Sequence, residues 1–231
     1  MKTFTKTTAA ALGLALALPA AADELTYAYF DIAYYAQDTS LSGTQDVLGQ
    51  TVGLDTSDGD GIRFRASLGL WHNLYGFADV GSTNIDDSAV VTNDQGTFPA
   101  SDEFDLTTIR IGAGYAWPVT YTTHVIAEVS YDSADYDFGS FAGEDFDADD
   151  QGLGARLGVR ALFARKFELG AYARYTDVGT VDLNTGKFDS DTLFGVQFAW
   201  TPIRAFSIIA DYEAGDVDSW ALGFRLGLLE D

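Results

Sequence analysis

The sequence predicts an all-β fold: a single transmembrane, up-and-down antiparallel β-barrel of about ten strands, with eight as the alternative. Three observations predict it. An export signal opens the chain, and alternation with a period of two runs through nearly everything that follows. On each alternating segment the charges and glycines take one face and the large apolar residues the other.

Lys2 and Lys6 precede an apolar run over residues 9–18, and Pro19 with Ala20-Ala21-Ala22 supplies the small residues that signal peptidase accepts. This divides the chain into a signal peptide, 1–22, and a barrel, 23–231. The apolar run is short for a bilayer, and no later segment reaches the roughly 20 apolar residues of a membrane helix. No Pro/Ser-rich linker interrupts the 231 residues, so one folded unit is expected. The absence of cysteine excludes a lipid-anchored Cys, disulfides and thiolate metal sites. Removing Lys2 and Lys6 with the signal leaves 11 basic residues against 35 acidic ones, a net charge of −24. A surface of that sign excludes nucleic acid, whose phosphates need basic partners.

Ten segments rich in Tyr, Phe, Ile, Val and Gly read as strands: 25–36, 61–71, 74–81, 105–117, 122–132, 151–163, 167–176, 191–200, 206–213 and 219–229. Most are about as long as a tilted membrane strand, roughly 9 to 11 residues. Their connections alternate. His72-Asn73, 118–121, 164–166 and 201–205 are short; 37–60, 82–104 and 133–150 are long. Short periplasmic turns and long outer loops are the pattern of transmembrane barrels. The final outer connection, 214–218, is brief and fits less well. An even strand count returns the C-terminus to the side of the N-terminus.

Parity justifies the individual strands. Over 61–71, Ile62, Phe64, Ala66, Leu68 and Leu70 oppose Arg63, Arg65, Ser67 and Gly69. Over 151–163, Leu153, Ala155, Leu157, Val159, Ala161 and Phe163 oppose Arg156, Gly158 and Arg160. In the last strand Trp220, Leu222, Phe224, Leu226 and Leu228 oppose Gly223, Arg225 and Gly227. The same rule sets Asp31, Asp79, Arg110, Glu128, Glu168, Arg174, Asp211 and Glu213 against their strands' apolar faces. Lipid as the outer solvent explains the segregation, because Arg or Lys on the lipid face costs about 2–4 kcal/mol at the midplane. Tyr34, Tyr131, Tyr175 and Tyr212 toward the long loops, and Trp117, Phe163, Phe167, Trp200 and Phe206 toward the short turns, read as two interfacial girdles. A soluble barrel with the apolar parity turned inward around a ligand is the alternative, since parity does not say which face is inside.

The segments "LTYAYFDIAYY", "FADVGSTNID", "FDLTTIRIGAGYAW", "LGARLGVRALF", "FELGAYARYTDVG" and "DVDSWALGFRLGL", with Gly112-Ala113-Gly114-Tyr115 among them, resemble the diffusible-signal-regulated outer-membrane proteins, small β-barrels of the OmpA/OmpX-like superfamily. The resemblance spans nearly the whole mature chain. It implies a bacterial outer-membrane barrel without established catalytic residues. Such barrels usually end in an aromatic residue read by the barrel assembly machinery, an expected partner. This chain departs, ending Leu228-Leu229-Glu230-Asp231, and Phe224 is its last aromatic residue.

Chemistry is expected first in the lumen. Arg63, Arg65, Arg110, Arg156, Arg160, Arg174 and Arg225 share it with Asp31, Asp79, Glu128, Glu168, Asp211 and Glu213. They form either a salt-bridge network plugging a narrow barrel or a pore whose arginines set selectivity. A ten-stranded barrel is little wider than one filled by side chains, which favours the plug. The acidic outer loops come second: Asp145, Asp147, Asp149 and Asp150 have the oxygen density that hard cations accept, without a complete EF-hand. Mutual repulsion of solvated loops is the simpler reading; divalent bridging to lipopolysaccharide lies between the two. An enzyme is disfavoured, because His72 and His124 both fall at the periplasmic end, away from an outer-rim site. The expectation is a monomeric structural or surface-interaction barrel needing no cofactor, in contact with outer-membrane lipid and lipopolysaccharide, with a narrow porin-like channel as the alternative.

Overall fold

The computed structural model describes residues 25–38, 42–47, 50–93, 96–141, 144–179, 181–182, 187–203 and 205–228. The signal peptide and the last three residues lie outside the described residues. Among those described there is no helix. The elements are β1 (Tyr29–Asp38), β2 (Ser42–Val47), β3 (Gln50–Trp71), β4 (Leu74–Asn93), β5 (Gly96–Thr120), β6 (Thr123–Phe141), β7 (Glu144–Phe163), β8 (Phe167–Thr176), β9 (Val181–Asp182), β10 (Lys187–Phe188), β11 (Asp191–Ile203), β12 (Phe206–Ala214) and β13 (Asp218–Gly227).

Ten of these close an antiparallel barrel in the order β1-β3-β4-β5-β6-β7-β8-β11-β12-β13. Closure comes from β1, whose Asp31 pairs with Arg225 of β13 on one side and Arg65 of β3 on the other. Every strand edge in the bilayer is thereby paired, which backbone groups surrounded by hydrocarbon require. β2 extends β3 on the outer side, and β9 and β10 form a small hairpin in the connection between β8 and β11.

The apolar parity faces outward. Leu68, Leu157, Val129, Phe194 and Leu222 are each more than half exposed, whereas Arg65, Arg156 and Glu128 on the opposite parity are buried. The soluble barrel with an apolar lumen is therefore excluded. Tyr34, Tyr131, Tyr175, Tyr212 and Trp220 ring the outer end of this belt; Trp71, Trp117, Phe163, Phe167 and Trp200 ring the other.

Two expectations change. The long connections 37–60, 82–104 and 133–150 are largely strand: β3 to β7 continue past the belt, and β4 and β5 stay paired out to Asn93 and Gly96. The barrel wall thus stands tall on five strands and short on β8, β11, β12, β13 and β1. Asp, Gly and Ser, residue types depleted in strands, hide the strand signal there. The first strand also starts later than expected, at Tyr29, since residues 25–28 turn inward.

The turns at the periplasmic end are tight. His72, between the paired Trp71 and Leu74, has φ 48°, and Ala164 and Arg165, between Phe163 and Phe167, have φ 47° and 59°. An L residue in this region costs roughly 1–2 kcal/mol, and glycine escapes that cost but gives up more conformational entropy on folding. Ala164→Gly is expected to stabilise the folded barrel by up to about 1 kcal/mol, read as a higher urea midpoint. An unchanged or lowered midpoint would show that the strain at this turn does not exceed the entropy penalty of glycine.

Candidate functional site

All thirteen charges expected in the lumen point into it. Period-2 alternation aims them there once the barrel has closed, and burial obliges each to find partners. Arg63 grips Asp79 with two hydrogen bonds, Nε to Oδ1 at 2.8 Å and Nη2 to Oδ2 at 2.6 Å. Arg225 holds Asp31 in the same way at 2.8 and 2.9 Å. Arg174 donates to both oxygens of Glu213, at 3.3 and 3.1 Å, and Arg160 donates to Glu168 at 2.8 Å.

Glu128 is the hub. Its Oε1 accepts from Arg65 at 3.0 Å and from the Tyr75 hydroxyl at 2.9 Å; its Oε2 accepts from Arg156 at 3.4 Å and lies 3.9 Å from Arg110. Arg156 also donates to Gln197 at 3.0 Å. Asp211 accepts from the Tyr172 hydroxyl, which also reaches Glu213. Pairing of this kind offsets the desolvation of charges removed from water.

Aromatic rings complete the packing. The Arg156 guanidinium lies 3.5 Å from the centroid of Tyr172, that of Arg225 3.8 Å from Tyr29, and that of Arg65 5.1 Å from Phe77. Stacked guanidinium and ring is a favourable arrangement for Arg out of water. The lumen glycines make this possible. Tyr75 lies across Gly114 and Tyr172 across Gly195, so a Cβ at either glycine would enter the ring. Gly114→Val is consequently expected to lower folding yield and heat-modifiable gel mobility, whereas Ala113→Val, on the opposite parity, is expected to be tolerated.

Residues 25–28 cover the periplasmic mouth. The Tyr27 ring stacks on Tyr75 at 4.6 Å, its hydroxyl pairs with Nδ1 of His124 at 3.0 Å, and Arg160 sits 4.6 Å from its centroid. Ser67 donates to the Tyr27 carbonyl at 2.6 Å, and Arg160 approaches the Thr26 carbonyl at 3.4 Å. This short segment therefore touches β3, β4, β6 and β7.

Two small spaces stay open among the described residues of the lumen. An outer vestibule of about 130 Å³ is lined by Arg63, Asp79, Arg110, Asp132, Arg174 and Glu213, among others. A second space of about 40 Å³ lies deeper, beside Asp31, Arg65, Glu168, Gln197 and Arg225. At the outer rim Asp191 is buried, and burial followed by the neighbouring Asp216 carboxylate raises its carboxyl above the ordinary value.

Reasoning from sequence passed over Asp132, Gln197, Tyr27, Tyr29, Tyr75, Phe77 and Tyr172. The signal was present. Tyr75 and Phe77 share the parity of Asp79, and Tyr172 that of Glu168 and Arg174, so the rule applied to charges would have placed the rings as well. Of the acidic group 145–150, Asp149 on β7 is exposed and Asp150 half-buried. The side chains of Asp145 and Asp147 lie outside the described residues. Both histidines fall at the periplasmic end, as expected.

The barrel is similar to the outer-membrane protein OprG from Pseudomonas aeruginosa, at 10% identity, covering 90% of this chain and 99% of that one with a TM-score of 0.45. It is similar to the β domain of the Bordetella autotransporter BrkA, at 14% identity, 87% and 98% coverage and a TM-score of 0.49. The attachment invasion locus protein Ail of Yersinia pestis is similar at 12% identity, 87% and 100% coverage and a TM-score of 0.41. No curated protein matches. A family model described as the outer membrane protein β-barrel domain matches residues 7–201, and with most of the sequence matched the chain belongs to that family of the bacterial outer membrane.

Proposed function

We propose that this protein is a structural and surface-interaction barrel: a non-conducting anchor that carries the tall outer wall of β3 to β7. The observation that supports this reading is the lumen, filled by mutually paired charges and covered at its periplasmic mouth by residues 25–28. A conducting pore needs a continuous path whose charges face water, and here they face one another. Planar-bilayer recording of the purified barrel, with unheated and boiled gel mobility confirming the fold, is expected to be silent. Discrete steps whose ion selectivity changes in an Arg156→Ala/Arg160→Ala variant would replace this reading with a narrow channel.

The outer wall supplies the interaction surface. Asp60, Asn84, Asp105, Asp137 and Asp147 occupy one row across β3 to β7, and Asp135 pairs with Asp149 beside it. Asp60, Asp105, Asp135, Asp137 and Asp149 are exposed on the outward face, past the tyrosine girdle. Carboxylates directly opposite one another repel. Divalent cations shared with the anionic groups of lipopolysaccharide relieve that repulsion and tie the wall to the outer leaflet. Chelation is expected to speed proteolysis within 82–104 and 133–150 while the lipid-embedded part stays intact; indifference to chelation would remove the cations from this proposal.

A further inference from the structure

Three residues that line the outer vestibule each carry a buried side-chain atom without a hydrogen-bond partner: Gln37 Nε2, Arg110 Nε and Asp132 Oδ1. Gln37 is 6% exposed and Asp132 3%. Buried polar groups in folded proteins are nearly always paired, so three around one space require an account. Their neighbours are already committed. Gln37 Oε1 accepts from the Tyr35 hydroxyl at 3.3 Å, and Asp132 Oδ2 accepts from Thr176 at 2.8 Å. Arg110 Nε and Asp132 Oδ1 stand 3.7 Å apart, within reach of attraction but beyond a hydrogen bond.

Size and charge narrow what completes them. About 130 Å³ is several times the roughly 10–15 Å³ that admits one water, and far below the roughly 300 Å³ of a drug-sized pocket. The lining mixes Arg63, Arg110 and Arg174 with Asp79, Asp132 and Glu213. A simple anion would meet Asp132, and a simple cation would meet Arg110. A molecule carrying an acceptor for the two orphan donors and a donor for the orphan acceptor satisfies all three. We propose that the outer vestibule is a binding site for a small zwitterionic solute of α-amino-acid size. Its carboxylate accepts from Gln37 Nε2 and Arg110 Nε, and its ammonium donates to Asp132 Oδ1. Beneath it the Arg63–Asp79 pair and the Glu128 hub form a floor, so the site is a blind receptor opening to the outside.

The test uses the full barrel in detergent micelles, titrated with carbon-labelled glycine and followed by NMR line broadening. Acetate, methylammonium and trimethylglycine serve as competitors. Glycine is expected to bind at millimolar concentration. Each half-molecule, and trimethylglycine with no N–H to donate, is expected to bind about tenfold more weakly or worse, the loss of one charge-assisted hydrogen bond. Asp132→Asn and Gln37→Met are each expected to weaken glycine about tenfold while heat-modifiable mobility stays normal. Gln37→Met removes no charge, so it tests the site even where Asp132→Asn impairs folding. Absence of glycine binding would leave the space to water alone and overturn the proposal, as would acetate binding equal to glycine or Gln37→Met without effect.

Discussion

Glu128→Ala is expected to destabilise the folded barrel by about 3–5 kcal/mol, the cost of stranding a buried partner charge. Glu128 is 4% exposed and is the shared acceptor of Arg65, Arg156 and Tyr75, with Arg110 close by. Its loss leaves Arg65 with Asp79 at 3.8 Å and Arg156 with the neutral Gln197. Glu128→Gln keeps an oxygen for Tyr75 but not the charge, so a smaller loss is expected. Urea titration in lipid vesicles, read by tryptophan fluorescence and gel mobility, measures both. A Glu128→Ala loss below about 1 kcal/mol would show that water screens the interior as it screens surface pairs, and the plugged lumen would no longer hold.

Leu157→Arg is expected to cost about 2–4 kcal/mol, because its side chain lies mid-belt on the lipid face. Leu157 is 61% exposed and pairs with Ala127, between the outer girdle at Tyr131 and the inner one at Phe163. Depth distinguishes lipid from other causes. Asp135→Arg, on the same outward parity but beyond Tyr131, is expected to cost no more than about 1 kcal/mol. Unfolding titrations of both variants in vesicles check the contrast, and equal costs would contradict the assigned belt.

Much of the lumen was legible because alternation is local. Arg63 and Arg65 share a face by the pleat alone, whatever they pair with. Their partners were not legible: Arg63 meets Asp79 and Arg65 meets Glu128 through registers across β4, β5 and β6, which no window of neighbouring residues contains. Tyr27 illustrates a different limit. Its segment alternates like a strand, yet it bends inward, where the Tyr27 ring stacks on Tyr75 and its hydroxyl pairs with His124, residues of strands far along the chain.

The sequence by itself determined the all-β class, a count of about ten membrane strands with eight left open, the two faces of each, and the short turns, all of which rest on period-2 alternation and turn chemistry between neighbours. Only the tertiary structure decided that the apolar face is the outer one, that the acidic connections continue as strands, that residues 25–28 close one mouth, and which acid holds which arginine. Those outcomes follow from barrel closure and long-range backbone pairing, where partners far apart in the chain set each other's surroundings.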